Sequence, residues 1–148
     1  MGKITIIGAG NGGCTYAAYL GKRGHEVCLY EVPELADNLK DVIELGGFEM
    51  RGCDTGFGAV AKCTTNIEEA VNGVEYILVV TPAFCHRIIA KLAAPYLKSG
   101  QTVVLNPGSV FGAVEFLNVL REEGNHEDIT VTAAGKDVGR RLAHGNIF

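Results

Sequence analysis

No stretch of this 148-residue chain is apolar for long enough to span a bilayer. It also lacks a block of basic residues. The 13 Lys and Arg are scattered and the net charge is -4, so no basic face for nucleic acid can be assembled. The five cysteines, Cys14, Cys28, Cys53, Cys63 and Cys85, form no CxxC pair and have no histidine at metal-ligand distance. That spacing points to no metal site. The first strand begins at once and leaves no room for a signal peptide. With an odd cysteine count, this predicts reduced thiols, small buried hydrophobes in a cytoplasmic protein. Internal repeats, low-complexity segments and linkers are missing too. At 47% hydrophobic and 20% charged residues, the chain reads as one globular domain with a sizeable core.

Glycine, by contrast, is plentiful, and its placement carries the chemistry. An apolar run, Lys3-Ile4-Thr5-Ile6-Ile7, leads directly into Gly8-Ala9-Gly10-Asn11-Gly12-Gly13. Small residues at helical spacing follow (Cys14, Ala17, Ala18, Gly21), Gly24 ends the helix, and a second run, Val27-Cys28-Leu29-Tyr30, stops at Glu31. Strand, tight turn, helix, strand and acid each have a task in holding a dinucleotide. Gly8 lets the chain turn out of the strand. Gly10 lets a diphosphate approach the backbone, and Gly13 lets the helix pack closely on the sheet. The free N–H groups at the helix start favour the phosphate charge. Glu31 stands where a carboxylate accepts hydrogen bonds from the adenosine ribose. It repels a 2′-phosphate, and Val32 and Pro33 offer no arginine to receive one, so NAD is expected over NADP.

Beyond Glu31 the pattern continues to alternate. Pro33 opens a helix carrying Leu35, Leu39, Val42 and Ile43, which ends at Gly46-Gly47. Residues 48–51 and 58–62 read as strand pieces around a glycine turn, a small excursion from the sheet. Thr64-Thr65-Asn66 caps a short helix ending at Gly73. Tyr76 to Val80 is a continuous apolar run, as in a strand covered on both faces. It ends in Thr81-Pro82-Ala83, where Thr81 and Ala83 are candidate cofactor contacts at the ligand edge. Ile88, Ile89, Leu92 and Ala93 give the next helix its apolar face. Thr102 to Leu105 is another buried strand, and it leads into Asn106-Pro107-Gly108-Ser109 at the same edge. A helix with Val110, Val114, Leu117 and Leu120, then a strand from Ile129 to Ala133, complete the series. The fold class is therefore α/β: a doubly wound parallel sheet, a three-layer Rossmann-type sandwich with strand order 3-2-1-4-5-6. Residues 1–133 make this domain, and 134–148 form a tail of undefined structure.

KITIIGAGNGG, the acid ending LYE, VVTPA and above all VLNPG before a helix resemble opine dehydrogenases of the octopine and nopaline type. Ketopantoate reductases and glycerol-3-phosphate dehydrogenases share the glycine loop but differ at the fifth-strand segment. The resemblance runs from Met1 to about Val131. It implies hydride transfer from NAD(P)H to an imine formed by an α-amino acid and an α-keto acid. It also implies that Gly8, Gly10, Asn11, Gly12 and Gly13 hold the diphosphate and that Glu31 takes the ribose. Thr81, Pro82 and Ala83 would line the crevice, with Asn106, Pro107 and Gly108 near the nicotinamide. In such enzymes a second, mostly helical domain supplies a catalytic histidine with a carboxylate partner. The segment 134–144 does not match the family's continuation, so a helical substrate domain or partner chain is expected to complete the site.

No catalytic residue is assigned within the chain. Of His25, His86, His126 and His144, only His86, just after the TPA turn, is placed to face the crevice. A surface or helix-start role is its simpler reading. A second hypothesis is an NAD(H)-binding module that senses or regulates as a homo-oligomer, without turnover.

Overall fold

The computed structural model describes residues 2–52, 54–108 and 111–134. Strand β1 (Lys3–Ile7) lies at its centre because Ile4 and Ile6 point to one face and Ile7 to the other, all buried. The chain then runs through α1 (Asn11–Lys22) and β2 (Glu26–Tyr30). A 3₁₀ segment, Pro33–Leu39, leads into α2 (Lys40–Leu45). Next come β3 (Gly47–Met50), β4 (Gly56–Ala59), β5 (Lys62–Thr64) and α3 (Ile67–Val71). The last part comprises β6 (Tyr76–Val79), a 3₁₀ turn Ala83–Cys85, α4 (His86–Ala93), β7 (Thr102–Leu105), α5 (Gly112–Glu122) and β8 (Thr130–Ala133).

The main sheet has the order β5-β2-β1-β6-β7-β8, with every pairing parallel. Counted along the chain, these six strands give the expected order 3-2-1-4-5-6. The order reverses between β1 and β6, and there the loops at the strands' carboxyl ends open a crevice. One apolar layer joins Ile7, Val79, Val103 and Leu105 to α3, α4 and α5 through Val71, Ile89, Ala93, Phe116 and Leu120. The other joins Ile4, Ile6, Val27 and Leu29 to Ala17 of α1 and Val42 of α2. Helices cover both faces of the sheet, as the sandwich requires.

The excursion after α2 is an antiparallel hairpin, β3 with β4, paired from Gly47↔Ala59 to Met50↔Gly56. It lies backbone-on-backbone against α1. A Cβ at Gly58 would sit 2.0 Å from the Ala18 carbonyl oxygen, and one at Gly21 2.0 Å from that of Ala59. The expected second strand piece, 58–62, is divided: 56–59 belong to the hairpin, while Lys62–Thr64 form the edge of the main sheet beside β2. The cap of α3 is Asn66, whose side chain accepts from the Glu68 and Glu69 N–H groups.

Two helices are rotated from their expected faces. In α4 the sheet side carries His86, Ile89, Ala90 and Ala93, while Ile88 and Leu92 are 56% and 40% exposed. In α5 it carries Phe116, Val119 and Leu120, with Val114 54% exposed; Val110 lies outside the described residues. These faces are set by packing of α4 and α5 on each other and on the sheet, where Ile89, Ala90 and Ala93 share one buried cluster with Phe116, Val119 and Leu120. The cysteines also differ from expectation. Cys14, Cys28, Cys63 and Cys85 are free but only partly buried, and Cys53 lies outside the described residues. Residues 135–148 of the predicted tail, His144 among them, also lie outside.

Candidate functional site

The glycine turn is wedged between the ends of β2 and β6. Gly8 has φ +105°, and its N–H donates to the Tyr30 carbonyl at 2.9 Å. A Cβ there would lie 2.7 Å from the Val80 carbonyl oxygen and 2.9 Å from the Thr81 methyl. Gly13 begins the close packing of α1, since its Cβ would lie 1.7 Å from the Gly8 carbonyl oxygen. Gly10 is different. It is the N-cap of α1, in extended conformation, with no side-chain cap, and a Cβ there would meet nothing within 4 Å. Gly12 faces the Val80 side chain, 3.0 Å from the Cβ it lacks, and Asn11 is exposed at the first position of the helix. The opening above Gly10 therefore adjoins helix-start N–H groups that no side chain caps, a fitting seat for a diphosphate.

Glu31 closes the β2 side. It is 7% exposed and its carboxylate is held in three places. Oε2 accepts from the Ala9 N–H at 3.0 Å and from the Asn38 amide at 3.3 Å, while Oε1 accepts from the Val32 N–H at 2.9 Å. The Ala9 carbonyl in turn accepts the Cys14 thiol at 3.3 Å. Burial, aided by the Glu31 charge, pushes the Cys14 thiol up, so it remains a protonated donor and not a nucleophile. A carboxylate has about four acceptor sites, so with three taken one is left for a ribose hydroxyl. Ala9, Cys14 and Asn38 escaped the sequence reading. Only an amide one or two helical turns beyond the acid hinted at Asn38.

Across the sheet reversal, Pro82 and Ala83 are exposed and Thr81 is half-buried, its hydroxyl enclosed without a partner. His86 is the first residue of α4, as the helix-start reading expected, but it is 2% exposed and not at the surface, and among the described residues neither ring nitrogen has a partner at hydrogen-bond distance. Burial pushes its imidazole below the ordinary value, against smaller opposing effects from the Thr81 backbone and the Glu115 carboxylate. At the end of β7 the side-chain amide of buried Asn106 donates to the Tyr16 hydroxyl, tying α1 to the far strand. The Asn106–Pro107 peptide bond is cis. The Gly108 N–H donates to Ala134 at 2.7 Å, and its missing Cβ would lie 2.2 Å from that of Ala133. Asn106 and Gly108 are thus engaged by α1 and β8 respectively.

All the anticipated binding residues meet at the carboxyl edge of the sheet. His25 does not: its ring faces the Gly2 N–H at the opposite edge, and His126 is exposed there too. A cavity of about 600 Å³, bordered by Ala94, Lys98, Ser99, Asn125 and Glu127, is also at that far edge and is separate from the site. Among the described residues, no three His, Cys, Asp or Glu side chains gather to hold a metal, and no helix is long and apolar enough to cross a membrane.

Comparison with known proteins gives this arrangement its relatives. Residues 3–107 match the family described as the NAD-dependent glycerol-3-phosphate dehydrogenase N-terminus. That match runs through β7 into Pro107, so it includes the fifth-strand segment. An opine dehydrogenase of Arthrobacter sp. (strain 1C) is 37% identical over 125 residues, covering 82% of this chain and 34% of the relative. A glycerol-3-phosphate dehydrogenase of Streptococcus agalactiae serotype III is 29% identical over 160 residues, covering 93% and 47%. The structure of octopine dehydrogenase with NADH and pyruvate superposes with a TM-score of 0.75 at 19% identity, over 88% of this chain and 35% of that one. The chain thus spans between a third and a half of the length of these relatives.

Proposed function

We propose, from the premise that this chain belongs to the family of NAD-dependent glycerol-3-phosphate dehydrogenase N-terminal domains, that it is the cofactor-holding part of an opine-dehydrogenase-like oxidoreductase. The observation that carries the cofactor reading is the pairing of an unfilled Gly10 with Glu31, whose carboxylate is fixed to the neighbouring Ala9 N–H. The domain binds NAD. Its Gly10–Gly13 amides hold the diphosphate, and Glu31 receives the adenosine ribose hydroxyls and disfavours a 2′-phosphate. Thr81, Pro82 and Ala83 line the crevice on the way to the nicotinamide end at Asn106–Gly108.

Bound NAD supplies the hydride donor or acceptor. The proposed reaction reduces an imine formed from an α-amino acid and an α-keto acid. The opine over the glycerol 3-phosphate reading is supported by the higher identity to the opine enzyme, 37% against 26–34% for glycerol-3-phosphate dehydrogenases. The acid–base group and substrate selectivity are assigned to a helical substrate domain or partner chain. The test combines the chain with such a domain and follows NADH oxidation with amino acid and keto acid pairs, with mass detection of the N-(carboxyalkyl)amino acid. Glycerol 3-phosphate with NAD is the competing substrate pair. Turnover of that pair alone overturns the opine assignment. NADH binding without turnover of either pair favours a sensing module.

Glu31→Ala is expected to weaken NAD by about 1–3 kcal/mol, the scale for hydrogen bonds to a charged group. The preference for NAD over NADP should narrow in the same variant, because the charge that repels a 2′-phosphate is gone. Calorimetric titration with both coenzymes reads the two effects. An unchanged NAD affinity counts against Glu31 as the ribose acceptor.

A further inference from the structure

We infer that the Asn38 side chain is a displaceable occupant of the ribose acceptor. Its amide fills a site on Glu31 that the adenosine ribose must take over to be held by both of its hydroxyls. Asn38 thereby sets how tightly the chain holds the adenosine half of a dinucleotide, and its removal tightens binding. The inference rests on the NAD-binding reading and extends it to a residue outside the glycine turn.

Glu31 has too few open acceptor sites for the ligand assigned to it. A carboxylate offers about four, and three are filled: Oε2 by the Ala9 N–H and the Asn38 amide, Oε1 by the Val32 N–H. A ribose presents a pair of neighbouring hydroxyls. Oε1 can receive one of them. Oε2 is full, so the other hydroxyl needs a donor to leave. The backbone donors are fixed. Ala9 is buried and follows Gly8, whose own N–H is bonded to the Tyr30 carbonyl, and the Val32 carbonyl accepts from the Leu35 N–H at 2.9 Å. Stripping an enclosed backbone N–H of its partner is unfavourable. Asn38 is the donor that can leave. It is exposed, its bond is the longest of the three at 3.3 Å, and in water its amide finds other partners.

The backbone beneath Asn38 stays in place while the side chain moves. Leu39, next to it, is buried in the apolar layer with Leu29 and Val42. Asp37 and Lys40, which flank it, are paired with each other at 2.8 Å and do not compete for the Asn38 amide. Rotation about the side-chain bonds is enough to clear Oε2. Nor is Asn38 needed to aim the carboxylate. Ala9 holds one oxygen and Val32 the other, which fixes the plane of the group without a third bond. What Asn38 adds is occupancy, and an occupant competes with the ligand.

The test is an NMR titration of the whole chain, which reads weak as well as tight binding, with NAD, ADP and 2′,3′-dideoxy-ADP. Asn38→Ala should tighten NAD and ADP about fivefold, the scale of one net hydrogen bond. The dideoxy analogue has no hydroxyl to take the vacated site, so its affinity should be the same in both proteins. In a Glu31→Ala background the gain from Asn38→Ala should vanish, since the two residues act through one bond. In the wild-type chain the Asn38 side-chain amide signals should shift strongly with ADP and much less with the dideoxy analogue. A residue that merely held Glu31 in place would weaken NAD and ADP on removal. A weaker or unchanged ADP affinity in Asn38→Ala therefore overturns the inference, as does a gain that persists for the dideoxy analogue or without Glu31. Wild-type amide signals that move no more with saturating ADP than with saturating analogue overturn it without any variant. Failure of both NAD and ADP to bind well-folded wild-type chain overturns the NAD reading itself and this inference with it.

Discussion

Gly10→Val is expected to abolish NAD binding while the domain remains folded. Gly10 has φ -78° and ψ -177°, an extended conformation that a β-branched residue adopts readily. A Cβ at this position meets nothing within 4 Å, so the valine clashes with no part of the chain. Valine is a poorer N-cap than glycine, which costs about 1 kcal/mol of stability. Its branches fill the opening above the first N–H groups of α1, where the diphosphate must approach the backbone. Displacing it removes several charge-assisted hydrogen bonds, each worth about 1.5–3 kcal/mol, so affinity should fall by more than about a hundredfold. Calorimetric titration reads the affinity and thermal melting the fold. A melting midpoint within a few degrees of wild type, together with lost binding, is the expected pair of results. Retained affinity in folded Gly10→Val would place the diphosphate elsewhere.

The strand order and the site's backbone were legible because each rested on a local signal. The run Lys3–Ile7 followed at once by glycines has one sensible reading, and Glu31 directly follows β2, the place from which its proposed ribose role was read. Features set by tertiary approach were not legible. β5 is three residues long, too short to express a period, and its pairing with β2 is fixed by the hairpin that precedes it. The rotation of α4 could not be read from its apolar residues, because Ile88 and Ile89 are equally hydrophobic and only packing against the sheet and α5 selects one. The same holds for the ties around the site. Asn38 and Ala9 hold the Glu31 carboxylate, and Tyr16 meets Asn106 across ninety residues of sequence. Such partners have no fixed spacing. His86 was noticed for its place after the TPA turn, but its burial came from the packing of α4 on α5.

Gly13→Ala should give the opposite outcome to Gly10→Val, three residues along the same turn. Helix propensity alone predicts a gain, since alanine is favoured over glycine inside a helix by about 1 kcal/mol. The surroundings reverse the sign. The new methyl would stand 1.7 Å from the Gly8 carbonyl oxygen and 2.9 Å from its carbon, and these are backbone atoms with no rotamer to change. Gly8 is itself confined, with the Val80 carbonyl and the Thr81 methyl behind it, so the turn cannot retreat from the helix. Relief therefore requires α1 to lift from β1, which separates Ala17 from Ile6 and pulls Ala18 off the hairpin at Gly58. Overpacking of this kind costs about 1–3 kcal/mol where side chains yield, and a rigid backbone contact should cost at least about 3 kcal/mol after the propensity gain. In a domain of this size that lowers the melting midpoint by roughly 10 °C. NAD affinity in the fraction that stays folded should fall as well, because the helix-start amides move with α1. A wild-type midpoint in Gly13→Ala would mean that strand, turn and helix are not in contact as described, and the diphosphate seat built from that contact would fall with it.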